Sequence, residues 1–170
     1  SFGPIAINRA YCNWQYFSRY RDALLQSAVE LIQLFPPGGS AKNGADIRLC
    51  LDAMEDMGRF AHIGTVIIVG GDSDFMALSQ KVKAAGRSLV GIGARKNTNR
   101  HWAKSCHEFR YYESLVDGAE GADDVVGGGH AASSAAMALS NAARIERTSR
   151  VCLSTVMSII SASAGSCPFT

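Results

Sequence analysis

Two aspartates one residue apart, Asp72 and Asp74, follow an apolar run over residues 65–69 and a glycine pair, Gly70 and Gly71. Carboxylates this close suit a hard divalent cation such as Mg²⁺, which takes a few carboxylates and keeps several waters. The rival reading is that Asp74, or Ser73, only caps a helix, which leaves Asp72 unexplained. A third carboxylate comes from the stretch 45–59, which reads as a helix. At about 100° per residue, Arg48, Asp52, Glu55, Asp56 and Arg59 form a solvated polar stripe. Ile47, Cys50, Ala53, Met54 and Met57 form the opposite, apolar one. Asp46 falls within that apolar arc, in the first turn, where it serves the helix dipole or points at a site beside a sheet. Asp52 belongs to the solvent stripe, so the spacing selects Asp46 over Asp52.

The elements that must position these groups follow from the apolar pattern. Residues 65–69 are short, apolar and rich in β-branched side chains, as in a strand buried on both faces of a parallel sheet. Carboxylates at its carboxyl end lie where open α/β sheets place their sites. Further strands are expected over 5–11, 29–35, 88–94 and 109–112, with helices over 22–28, 45–59, 75–85 and 99–105. Gly86 supplies a helix stop. Strand–helix alternation of this kind implies a mainly parallel sheet with helices on both faces, a three-layer α/β/α fold. The basic stretch containing Arg95, Lys96, Arg100 and Lys104 leaves the same sheet edge as Asp72.

Composition narrows the class. The chain has 170 residues, 47% hydrophobic and 19% charged, which supports an ordinary folded core. A net charge of +2 does not by itself argue for nucleic acid, so any basic surface is local. The five cysteines are scattered without framework spacing, as expected of reduced thiols in a cytoplasmic protein. Cys106 and His107 with His101 lack the spacing and fourth ligand of a zinc site. No apolar run approaches the ~20 residues that a bilayer requires, and no signal peptide is seen. Beyond Leu115 the texture changes. Residues 117–130 read as a Gly/Asp-rich linker. Residues 131–144 suggest a small amphipathic helix, and 151–160 a helical or mixed segment, with too little apolar material to make a core alone.

Arg9-Ala10-Tyr11-Cys12-Asn13-Trp14, Lys42-Asn43-Gly44-Ala45-Asp46, Leu51-Asp52-Ala53, Val69-Gly70-Gly71-Asp72-Ser73-Asp74-Phe75 and Gly86-Arg87 to Gly91-Ile92-Gly93 together resemble the NYN domain. The nearest branch looks like the bacterial group containing the cyanobacterial LabA proteins. The resemblance covers residues 2–115. NYN domains are similar to PIN nucleases, metal-dependent ribonucleases with aspartates at the carboxyl edge of a parallel sheet. It implies that Asp46, Asp72 and Asp74 are catalytic and hold Mg²⁺ or Mn²⁺. The family's K-x-x-D helix start is shifted here to Lys42-Asn43-Gly44-Ala45-Asp46. Its first strand, with a further acidic residue, and the helix after it are not seen, so residues 1–116 read as an NYN domain truncated at its N-terminus. Residues 131–170 resemble the start of an OST-HTH (LOTUS) module, or else a disordered tail.

The implied partner is RNA, single-stranded or structured, with no membrane; a homodimer is also admitted. Phosphate contacts would come from Lys42, Arg95, Lys96, Arg100 and Lys104, with Arg9 nearby. Trp102, Trp14 and Tyr11 would stack on unpaired bases or pack into the core. Two other classes compete. One is a catalytically silent RNA- or protein-binding adaptor with the same fold. The other is a haloacid-dehalogenase-type phosphatase, whose G-D-S-x-x-D motif the sequence Gly71-Asp72-Ser73-Asp74-Phe75 echoes, although its second aspartate comes too early for that motif and no D-x-D-x-T strand is seen.

Overall fold

The computed structural model describes residues 4–35, 43–117 and 156–162. Ile5–Cys12 (β1) leads through a 3₁₀ turn, Ser18–Tyr20, and a short helix, Arg21–Gln26 (α1), to Glu30–Gln33 (β2). Gly44–Arg59 (α2) precedes Ile63–Val69 (β3). A second 3₁₀ turn, Ser73–Phe75, runs directly into Met76–Ala84 (α3). Gly86 follows with φ of +68°, a conformation that glycine adopts without steric penalty, and the chain turns into Ser88–Gly93 (β4). Arg100–Ser105 (α4), Glu108–Tyr111 (β5), Tyr112–Asp117 (α5) and Val156–Ala162 (β6) complete the described elements.

The sheet order is β2-β1-β6-β3-β4-β5. β1 with β2, β3 with β4, and β4 with β5 are parallel, whereas β6 runs antiparallel to both of its neighbours. The fold is therefore mixed α/β with a mainly parallel sheet, as the alternation implied. β3 alternates as a strand buried on both faces must. Val66 and Ile68 enter one core with Leu49, Phe75, Leu78 and Trp102 from the α2, α3 and α4 side. Ile67 enters the other core, with Leu24, Val29, Val90 and Ile92, and Leu115 of α5 packs against it. The helices thus lie in two layers, one on each side of the sheet.

Two elements differ from expectation. Tyr112 begins α5 rather than ending β5, because the strand closes at Tyr111 and the next turn is already helical. The segment 151–160 was expected to be helical or mixed, yet residues 156–162 form a strand paired on both edges. Its β-branched residues suit that role, and a central position gives every backbone N–H and C=O of the strand a ladder to join. The proposed linker, the helix over 131–144 and the LOTUS-like reading otherwise lie outside the described residues, as does Lys42.

Candidate metal-binding and catalytic site

The acidic turn is held in place from the neighbouring strand. Gly70 donates its N–H to the Ile92 carbonyl at 2.8 Å and accepts the Trp102 indole N–H at 2.9 Å. The Gly71 carbonyl accepts from the Asn99 N–H at 2.8 Å. A Cβ on Gly71 would stand 2.7 Å from the Asn97 carbonyl oxygen, so only glycine lets the two backbones approach this closely. Asn99 also caps α4, its Oδ1 accepting from the His101 and Trp102 N–H groups. These bonds fix the end of β3 against the β4–α4 loop and aim the next residues outward.

Asp72 turns out to be the capping residue. Its Oδ1 accepts from the Asp74 N–H at 3.2 Å and from the Ser73 hydroxyl at 3.3 Å. Capping therefore explains Asp72 locally, and it is Asp74 that lacks a role in its own turn. Asp74 instead accepts a hydrogen bond from the Asn43 side-chain amide. Asn43 is the N-cap of α2, but makes no cap bond with its side chain. It ties the start of α2 to the acidic turn. Nothing in the sequence alone distinguished Asn43, because an asparagine before a helix reads as a cap.

Asp46 lies in the first turn of α2 and is only 5% exposed. Burial, together with the charges of Asp72 and Asp74, pushes its carboxyl up to about 6. Three carboxylates from two separate elements thus face one another closely enough to repel. Cys50, one turn further along α2, feels the same field: burial and then Asp46 and Asp74 push its thiol up to about 11. It remains protonated at neutral pH and is no nucleophile there.

Hard oxygen donors that repel each other suit a divalent cation. As placed, however, no three His, Cys, Asp or Glu side chains among the described residues close into a ligand cluster. Asp72 is engaged in its cap and Asp74 with Asn43. Both are exposed residues.

Asp52 and Asp56 do not lie on a freely solvated stripe. Asp56 is 5% exposed and meets Arg9 at 2.5 Å, while Arg9 also bonds Glu30 at 2.9 Å. Burial works against the Arg9 charge, but these carboxylates more than offset it and hold the guanidinium charged. Asp52 accepts from the Tyr11 hydroxyl at 3.0 Å and from Arg48 at 2.8 Å. Both aspartates border the sheet-facing side of α2, where β1 reaches them. Conversely, Ile47 is 59% and Met54 39% exposed, because the apolar arc of α2 is wider than its contact with the sheet.

The expected RNA contacts divide in the same way. Lys96, Arg100 and Lys104 are exposed. Arg95 is also exposed, but its guanidinium lies 4.4 Å over the Tyr111 ring and donates to Ser114, and its N–H donates to Glu113. It braces the junction of β4, β5 and α5. Trp102 cannot stack on a base: it is fully buried, 5.4 Å from the Phe75 ring, with its N–H spent on Gly70. Tyr11 and Trp14 are likewise buried. Aromatic rings flanked by polar residues look alike in sequence whether they cover a core or a ligand.

A mixed α/β architecture with a mainly parallel sheet is consistent with the PIN-like NYN fold. Residues 1–113 match the NYN domain, and the chain belongs to that family. An uncharacterised protein of Methanocaldococcus jannaschii is 36% identical over 93 residues, 55% of this chain and 35% of that protein. The chain therefore spans about a third of that relative's length. A crystal structure of a protein of unknown function from Vibrio parahaemolyticus matches 61% of this chain and 65% of its own, with 23% identity and a TM-score of 0.48. No helix among the described residues is long and apolar enough to cross a membrane.

Proposed function

We propose that the chain carries a metal-dependent ribonuclease site built on Asp46, Asp72 and Asp74. The observation that carries this reading is the buried Asp46 carboxyl, raised to about 6 while facing Asp72 and Asp74 from a different element. Structural aspartates are ordinarily paired with cations, as Asp56 is with Arg9; these three are gathered against one another. Membership of the NYN family, with its PIN-like nuclease relatives, supports the same chemistry.

In this reading the three carboxylates hold Mg²⁺ or Mn²⁺, which when bound supplies an activated water and offsets charge on the scissile phosphate. The net reaction adds water across a phosphodiester: one P–O bond forms, one breaks, and the leaving oxygen takes a proton. Asn43 holds Asp74 beside the start of α2 and so limits its rotation. The Gly70–Gly71 contacts hold Asp72 at a fixed height above the sheet. Lys96, Arg100 and Lys104 provide positive charge for the RNA backbone, with Lys42 a further candidate. The branch nearest the LabA proteins and a cytoplasmic setting belong to the same proposal.

The test is cleavage of a labelled single-stranded RNA with Mn²⁺ or Mg²⁺, run beside the Asp72→Asn variant. Cleavage by the parent and loss of about a hundredfold or more in the variant is expected. Equal rates in both proteins would exclude the site. RNA binding without cleavage by the parent would favour the adaptor, and hydrolysis of p-nitrophenyl phosphate alone the phosphatase.

A further inference from the structure

The solvent face of α2 carries an apolar seam that the domain does not use. Ile47 and Leu51 are 59% and 62% exposed, and Met54 is 39% exposed. Gly44 and Gly58 extend the same line, and a Cβ on either would meet nothing within 4 Å. The spacing from Gly44 through Ile47, Leu51 and Met54 to Gly58 alternates three and four residues, the heptad pattern of a helix that packs on another helix. A monomeric surface helix has no reason to keep that spacing opposite its core, where a charged face is the norm.

The order of residues along the seam identifies the occupant. Reversed about Leu51, the line reads the same in kind: small, branched or long apolar, Leu51, long apolar, small. Such a stripe is complementary to itself in an antiparallel pair related by a two-fold axis at Leu51. Gly44 then faces Gly58 of the second copy, so both ends permit close approach, and Ile47 faces the neighbourhood of Met54.

Charge agrees with this arrangement. Arg48 and Glu55 flank the seam on one side, and the two-fold axis brings Arg48 of each copy beside Glu55 of the other. Within its own chain Arg48 uses Nε on Asp52 at 2.8 Å, and its terminal nitrogens have no partner among the described residues. A parallel pair would instead set Arg48 beside the opposite flank of the second copy, out of reach of its Glu55.

We propose that α2 is a homodimer interface, an antiparallel α2–α2 seam centred on Leu51. A single helix pair buries less than a standard interface of about 1,600 Å², so the association is a weak one that appears at high micromolar concentration. The axis at Leu51 sends the two Asp46 residues toward opposite ends of the paired helices.

Sedimentation equilibrium of the full chain tests this from about 5 to about 500 μM, the range in which small interfaces associate. The weight-average mass should climb from 18.1 kDa toward twice that value, about 36 kDa. Leu51→Glu should remain monomeric with an unchanged circular dichroism spectrum. Arg48→Glu alone and Glu55→Arg alone should each weaken association about tenfold or more, since like charges then meet twice. An equimolar mixture of the two should regain it as a heterodimer. A monomeric parent throughout the range overturns the proposal, as it would if another part of the same chain covered the seam. Single variants that associate like the parent, or a mixture that fails to regain association, overturn the antiparallel seam.

Discussion

Trp102 and Gly70 stand 32 residues apart in sequence and are joined by a 2.9 Å hydrogen bond from the indole N–H to the glycine carbonyl. The bond is buried and lies directly beneath the acidic turn. It converts a tryptophan that reads as a candidate base-stacking residue into a support for Asp72.

Trp102→Phe keeps most of the packing but leaves the Gly70 carbonyl without its donor. An unpartnered buried acceptor costs about 1–3 kcal/mol. A fall in urea midpoint of that size is expected, together with unchanged RNA affinity at temperatures where the variant is folded. Weakened RNA binding at unchanged stability would restore the stacking role.

Gly71→Ala forces a methyl group against the Asn97 carbonyl, a backbone atom that cannot step aside. Overpacking of this kind costs about 1–3 kcal/mol, and the shift falls on the residue before Asp72. RNA cleavage should drop about a hundredfold, as misplacement by an ångström can. Asp52→Asn, by contrast, should cleave like the parent, since Asp52 serves Tyr11 and Arg48.

Asp46 makes stability depend on pH in a stated direction. Its folded value is about 6 against an ordinary 3.8, so the folded state holds the proton more tightly than the unfolded one. The stabilisation is fully present below about pH 4 and is lost as pH rises through about 6, by on the order of 2–3 kcal/mol. Asp46→Asn has no such titration. Without divalent cations it should be more stable than the parent at pH 7.5 and nearly equal to it at pH 4. Urea midpoints at both pH values measure this, and parallel curves for the two proteins would sink the assignment.

Lys96, Arg100 and Lys104 are exposed, and replacing all three with alanine should leave stability within about 0.5 kcal/mol. If each meets a phosphate, the slope of log affinity against log salt should fall by about 2 for single-stranded RNA. A slope that does not move places the RNA elsewhere.

Much of the fold could be read from the sequence because it follows local apolar period. β3 declared itself by five consecutive apolar or β-branched residues, and α2 by its length. Asp46 was recognisable because a carboxylate inside an apolar arc contradicts its surroundings. The roles of Asp52, Asp56 and Arg9 were hidden, since their partners sit on another element and a helical wheel knows only its own. Trp102 was hidden for the same reason: its partner is a backbone carbonyl 32 residues away. Asn43 resembled an ordinary cap. β6 could not be placed at all, because sheet order is a property of long-range pairing, and a seven-residue segment carries no record of its neighbours.

The position of β6 has a consequence for how the domain comes into being. The strand nearest the C-terminus among those described is the one that joins β2-β1 to β3-β4-β5. On the ribosome, those two groups must wait with bare inner edges until residues 156–162 have emerged. Such late, long-range closure slows folding and leaves strand edges open to foreign chains. The nascent domain should therefore depend on chaperone protection, and a chain ending before residue 156 should aggregate rather than form a smaller version of the same sheet.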